Sequence, residues 1–166
     1  MGDARDQFLL FILGLPGVGK STARQYVCEY LAESLPAAEV NSFDDYSSLT
    51  EMAKNPEEER ITINEKGQFI IKEDNRSAVL RESLESLRSE VDDSSADICV
   101  VEFSRRNYAD AMNTFLNGRD GNYAIVYLRV DDPEERKRRN RIRSPEQPLQ
   151  SIPEELMDLP ALSTDD

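Results

Sequence analysis

Six apolar residues run without interruption from Phe8 to Leu13 and stop at Gly14. A strand apolar on both faces belongs in the middle of a parallel sheet with helices on either side. From Lys20 to about Ser34 the period changes. Ala23, Tyr26, Val27, Tyr30 and Leu31 recur at helical spacing, which predicts a helix with one buried face, and Pro36 lies beyond its end. Residues 39–43 predict a short second strand, followed by Asp44, Asp45 and Tyr46, and residues 47–60 are polar and helical at best. Ile61, Ile63, Phe69 and Ile71 alternate around Gly67, the pattern of a small hairpin or irregular flap. Leu80, Leu84, Leu87 and Val91 return to helical spacing and predict a second amphipathic helix over 74–89, with Asp74 or Asn75 as its N-cap.

The second half repeats the alternation. Residues 97–103 read as a buried strand that closes on the carboxylate of Glu102, 108–116 as a helix, 118–122 as a turn and 123–130 as another strand. Asp132-Pro133-Glu134-Glu135 is a helix start, with a capping side chain, proline at the first position and glutamates in the first turn. Beyond Ser144, Pro145, Pro148, Pro153 and Pro160 punctuate the chain and leave room for a turn or two of helix near 154–159. Residues 1–7 and 160–166 are expected to be disordered. Strands separated by helices call for one α/β domain of three layers, with a parallel sheet between helices. Ligands of such sheets bind at the C-terminal ends of the strands.

The first of those ends carries a specific motif. Gly14-Leu15-Pro16-Gly17-Val18-Gly19-Lys20-Ser21-Thr22 has the spacing Gly-x-x-x-x-Gly-Lys-Ser, between a buried strand and a helix. Glycines let successive backbone N–H groups turn inward toward phosphate oxygens, and the positive end of the following helix adds to the field. Lys20 supplies a point charge to the β/γ-phosphates, and the Ser21 hydroxyl is placed to hold Mg²⁺. A glycine-rich turn with no ligand is the bland alternative, but it would not need this many constrained positions in order. The chain is expected to bind a nucleoside triphosphate through residues 14 and 16–22.

Composition removes other chemistries. The 166 residues contain no histidine, which excludes Ser-His-Asp and Cys-His catalysis and His-ligated metals. A net charge of -13 argues against general affinity for nucleic acid or an anionic membrane. No apolar stretch is long enough to span a bilayer, and residues 1–7 do not make a signal peptide. Cys28 and Cys99 are expected as small core residues rather than a disulfide framework, so a cytoplasmic protein is the expectation.

Two further strand ends carry carboxylates. Glu102 stands where a strand-end carboxylate orders Mg²⁺ or activates an acceptor hydroxyl, although apolar strands also end in charge for solvation alone. Adjacent residues of extended chain point to opposite sides, so only one of Asp44 and Asp45 is expected to face the site, Asp44 being preferred, while the other is solvated or caps a helix. Arg136, Lys137, Arg138, Arg139, Arg141 and Arg143 form a basic cluster in an acidic chain. A charge run is usually a solvated helix face. Here it follows the fourth strand, where a lid over 131–150 brings arginines onto a transferring phosphate, with Arg139 and Arg143 on one face and Arg136 third. Arg105 and Arg106 are either an acceptor-phosphate pair or a surface pair.

The phosphate loop, Phe43-Asp44-Asp45-Tyr46, the Glu102-Phe103-Ser104-Arg105 strand end followed by Tyr108, and the arginine-rich lid together resemble the small P-loop kinases of the nucleoside and nucleotide kinase group, particularly adenylate-kinase-like members. The likeness spans roughly residues 8–158, and only the phosphate loop is highly specific. It implies strand order 2-3-1-4-5, ATP with Mg²⁺, and transfer of the γ-phosphoryl to a small acceptor. In that scheme Lys20, Asp44, Glu102, Arg139 and Arg143 are catalytic, Ser21 and Glu102 hold the metal, and Arg136 helps bind the nucleotide. The chain departs from the pattern at its end, where Leu162-Ser163-Thr164-Asp165-Asp166 offers no apolar run for the final strand. A regulatory GTPase would need Asn-Lys-x-Asp and Asp-x-x-Gly motifs, which are absent. A AAA+ motor would need more length and a paired Asp-Glu, where Glu102 stands alone. A polynucleotide 5′-kinase and a non-catalytic ATP-binding module remain as alternatives.

Overall fold

The buried run becomes the central strand. In the computed structural model, which describes residues 7–105, 107–117, 122–143 and 157, β1 (Phe8–Leu13) lies between β5 (Ile98–Phe103) and β6 (Tyr123–Tyr127). With β2 (Val40–Asp44) the sheet is wholly parallel in the order β2-β5-β1-β6. Counting the parallel strands alone, this is 2-3-1-4, four places of the expected order. The sheet's residues alternate between two helical layers. Leu9, Phe11 and Leu13 share one face with Cys99, Val101 and Phe103, under α3 (Arg76–Asp93) and α4 (Tyr108–Leu116). Phe11 sits edge-on to Phe103 at 6.2 Å and to Phe115 at 5.2 Å, the geometry that ring quadrupoles favour. The other face carries Ile12, Val100 and Glu102, and α1 (Lys20–Ser34) brings Ser21 and Arg24 to it.

A smaller apolar cluster supports the far side of the site. Residues 47–60, helical at best on sequence, contribute α2 (Asp45–Lys54), and the hairpin forms as β3 (Ile61–Ile63) against β4 (Phe69–Ile71). Leu49, Ile61 and Val79 join α2 and the hairpin to α3, with Phe69, Ile71 and Leu80 packed around them. A 3-10 turn, Glu73–Asn75, precedes α3; Asn75 is the N-cap but makes no side-chain capping bond. The final described helix is α5 (Pro133–Arg143), whose start is capped as expected, with the Glu134 amide donating to Asp132 Oδ1 at 2.9 Å.

Three expectations change. Tyr26 and Tyr30 are about two-thirds exposed, so the inner face of α1 is the narrower row Ala23, Val27 and Leu31. Helical periodicity cannot separate a wide apolar stripe from a narrow one flanked by exposed rings. Cys99 is buried in the core as expected, but Cys28 is only part-buried. The fourth parallel strand ends at Tyr127 rather than 130. Among the described residues β6 ends the sheet. The readings of residues 1–6 and 118–121, of Arg106, of a lid continuing to residue 150, of a turn near 154–159 and of a missing fifth strand fall outside the described residues.

Candidate functional site: a phosphate loop facing an apolar chamber

The loop is shaped by what crowds it. A Cβ at Gly14 (φ +149°) would lie 2.5 Å from the Leu128 carbonyl oxygen, and one at Gly17 (φ +82°) 2.8 Å from that of Arg136. Both positions therefore require glycine, for space and for conformation. No acidic residue sits in the first turn of α1, and no side chain caps it, so the helix's positive end is not neutralised. Lys20 is buried and donates to the Leu15 carbonyl at 3.2 Å. Burial pushes its ammonium down to a pKa of about 8, with Glu102 and Asp45 pulling the other way. A triphosphate would restore the lost counter-charge.

The carboxylates follow from sheet parity. Asp44 stands opposite Glu102 across β2 and β5, and both project from the α1 face. Glu102 Oε1 accepts from Ser21 Oγ at 3.0 Å; its buried Oε2 lies 3.3 Å from Arg24 Nε without a hydrogen bond. Burial raises the Glu102 pKa, opposed by Lys20 and Arg24. Asp44 accepts from Arg24 Nη1 at 2.5 Å and caps α2, taking the Ser47 amide at 3.0 Å. The expected division of the aspartates is thus reversed in one respect: Asp44 is the helix cap. Asp45, one residue on at the start of α2, also lines the cleft and is buried in an ion pair with Arg105, so both aspartates border the site where alternation along a strand allowed only one.

Arg105 is not a surface residue: it lines the cleft with its guanidinium already engaged. It is bound to Asp45, donates to the Leu80 carbonyl at 2.8 Å and to Ser83 Oγ at 3.0 Å, and lies over the Phe103 ring. The lid arginines separate into three positions. Arg143 lines the cleft, and its charge acts on Lys20 and Tyr46. Arg139 lies beside the loop, 3.4 Å from the Val18 carbonyl and held by Glu135 at 2.7 Å. Arg136 is buried where α5 backs onto Gly17, away from the cleft walls.

From the phosphate loop a cleft of about 740 Å³ continues under α2, β4 and α3. Its far end carries the apolar side chains Leu49, Phe69, Ile71, Leu80 and Leu84, with Tyr46 tilted on Phe69 at 5.5 Å, beside polar Glu73, Arg76 and Asp110. The Tyr46 hydroxyl is engaged by Thr50, and Arg76 pairs with Glu73 at 3.2 Å. Arg24, Tyr46, Phe69 and Arg76 were not singled out on sequence as site residues. Only Arg24 had a local signal, one helical turn beyond Lys20 on the Ser21 side.

Hard oxygens at Ser21 and Glu102 fit Mg²⁺, an ion that takes one or two protein oxygens and completes its shell with phosphate and water. Among the described residues no group of three or more acidic or cysteine side chains makes a separate metal centre.

The chain belongs to the AAA domain family, whose model matches residues 10–157. Membership concerns the nucleotide-binding domain, and the lone Glu102 still sets this chain apart from the paired Asp-Glu expected of a motor. No relative is found among curated proteins. Solved structures share the fold. One is APE1195, 17% identical with a TM-score of 0.52, covering 88% of this chain and 75% of that one. A second belongs to the Pnkp1/Rnl/Hen1 RNA repair complex, 14% identical with a TM-score of 0.57, covering 95% and 43%. A third is Kti12 of Chaetomium thermophilum in complex with ADP-AlF3, 14% identical with a TM-score of 0.50, covering 86% and 70%. The protein is an α/β P-loop nucleotide-binding domain. Among the described residues no helix is long and apolar enough to cross a membrane.

Proposed function

We propose that this protein is an ATP-dependent phosphotransferase that moves the γ-phosphoryl of Mg-ATP to a small acceptor, a nucleoside or nucleotide. The observation that carries the reading is the continuity of the cleft: Lys20, Ser21 and Glu102 stand at one end, and the same cavity of about 740 Å³ continues to a wall of Leu49, Phe69, Ile71, Leu80 and Leu84 at the other. A module that only sensed ATP would need the first end and not the second. In this reading the loop amides and Lys20 hold the β/γ-phosphates, and Arg143 and Arg139 balance charge as it spreads over the transferring group. Ser21, and Glu102 through water, would hold Mg²⁺, which would supply neutralisation of phosphate charge. The acceptor's ring packs against Phe69 and Leu80, and the Arg76 charge at the cleft wall favours its oxygens. A strand-end aspartate orients the attacking group. The sequence favoured Asp44, and the burial of Asp45 within electrostatic reach of Lys20 makes it the second candidate.

The test is incubation with Mg²⁺ and γ-labelled ATP against nucleosides, nucleoside monophosphates and a 5′-hydroxyl oligonucleotide. Label is expected on a nucleoside or nucleotide, and none with Lys20→Ala. Label on the oligonucleotide alone would make the protein a polynucleotide 5′-kinase. ATP binding without transfer to any acceptor would make it a nucleotide-binding module.

A further inference from the structure

The strand ladder of β1 stops at Leu13, whose carbonyl takes the Leu128 amide at 2.8 Å. Gly14 then turns the chain out of the sheet, is itself buried, and has both of its backbone polar groups off the ladder. Buried backbone groups require partners. Here one side chain serves both: the Gly14 amide donates to Tyr108 Oη at 3.0 Å, and the same hydroxyl donates to the Gly14 carbonyl at 2.9 Å. Ser104 Oγ donates to that carbonyl as well, at 2.8 Å. A phenol suits the task because it is donor and acceptor at once on a rigid arm. The ring is fixed between Phe103 and Tyr127, each with its centroid 5.9 Å away. Burial lifts the phenol pKa to about 12, so the donating proton is present throughout the neutral range.

Tyr108 is also the first residue of α4, and α4 with its cap lines the cleft beyond the loop through Asn107, Asp110, Ala111 and Thr114. One helix therefore touches both ends of the cleft. We propose that Tyr108 is a positioning residue: its hydroxyl holds the first residue of the phosphate loop in the orientation that nucleotide binding needs, and ties that orientation to the helix walling the far part of the cleft. The inference rests on the nucleotide-binding part of the reading above and not on transfer. A loop anchored only at Lys20 and the strand would still bind phosphate, but with its amides less well aimed, and small errors in aim weaken such contacts strongly.

The experiment pairs calorimetric binding of Mg-ATPγS with exchange of the Gly14 amide proton by NMR. Tyr108→Phe keeps the ring and removes only the hydroxyl. It is expected to weaken ATPγS binding about tenfold and to speed Gly14 exchange, the effect of one orphaned buried amide. Ser104→Ala leaves that amide its partner and is expected to change affinity by less than about threefold. Tyr108→Phe binding within about twofold of the unaltered protein, with Gly14 exchange accelerated, would reduce the hydroxyl to a structural contact and overturn the proposal. If the variant does not fold, the unaltered protein decides. Gly14 must be among its slow-exchanging amides and slow further when ATPγS binds; fast exchange, or no response to ATPγS, overturns the proposal. An unaltered protein that binds no ATPγS overturns the nucleotide reading itself, which distinguishes the two failures.

Discussion

The two ends of the cleft are built on different principles. At the phosphate end polar groups meet one another over short contacts: Lys20 on Leu15, Ser21 on Glu102, Arg24 on Asp44, Gly14 on Tyr108. At the chamber end apolar side chains, Leu49, Phe69, Ile71, Leu80 and Leu84, make up much of the wall, with polar Glu73, Arg76 and Asp110 among them. A phosphate is the same in every nucleotide, so its cradle can be assembled in advance from backbone and short contacts. Under the proposed function an acceptor must be told from others, which falls to the shape and polar groups of the chamber wall. On that reading the phosphate end sets the class of chemistry and the chamber selects the acceptor.

The comparison can be broken most forcefully at Glu102. Glu102→Gln keeps the shape and removes the charge, so ATP binding without metal is expected to survive while transfer falls by roughly a hundredfold or more. Single-turnover transfer alongside nucleotide titration checks this, and equal losses in both would make Glu102 a structural residue. Next come the two aspartates, which sharpen the contrast between a buried pair and a cap. Asp45→Asn leaves the buried Arg105 guanidinium without its counter-charge and should cost about 3 kcal/mol in urea unfolding. Asp44→Ala removes a helix cap and should cost about 1 kcal/mol. Equal costs would contradict their different burial.

The smallest effect is that of pH on Lys20. Its folded pKa is lowered to about 8 from 10.5, so between those values the unfolded chain binds more protons. The stability of the free protein therefore contains a contribution that grows as pH rises through that window. Nucleotide binding has the opposite sign, because phosphate favours the charged ammonium. Affinity should be highest below pH 8 and decline above it, with proton uptake on binding at about pH 8.5. Calorimetry in buffers of different ionisation enthalpy measures that uptake, and Lys20→Met should abolish it.

How much was legible in advance follows the same division. The loop from Gly14 to Thr22 is contiguous, so its function is written in local spacing, and Glu102 could be found because a buried strand announces its own end. The kinase-type strand order was legible through the resemblance, and four of its places are present. The choice between Asp44 and Asp45 was not legible. Alternation says that two neighbours diverge, but which one meets Arg105 depends on α3 and α4 covering one face of the sheet. Arg105 reads identically on sequence whether it awaits a phosphate or is held by Asp45, Ser83 and Leu80.

By itself, then, the sequence determined a P-loop α/β domain and the phosphate end of its cleft, with the residues proposed to grip a nucleotide. All of these depend on hydrogen-bonding groups within a few residues of one another or on the period of a single element. Only the tertiary structure decided the chamber, the partition of the aspartates, the three separate places of Arg136, Arg139 and Arg143, and the hold of Tyr108 on Gly14. These join residues up to 121 positions apart, such as Val18 and Arg139. Contacts of that range are set by how the helices pack on the sheet, and no local pattern encodes that packing.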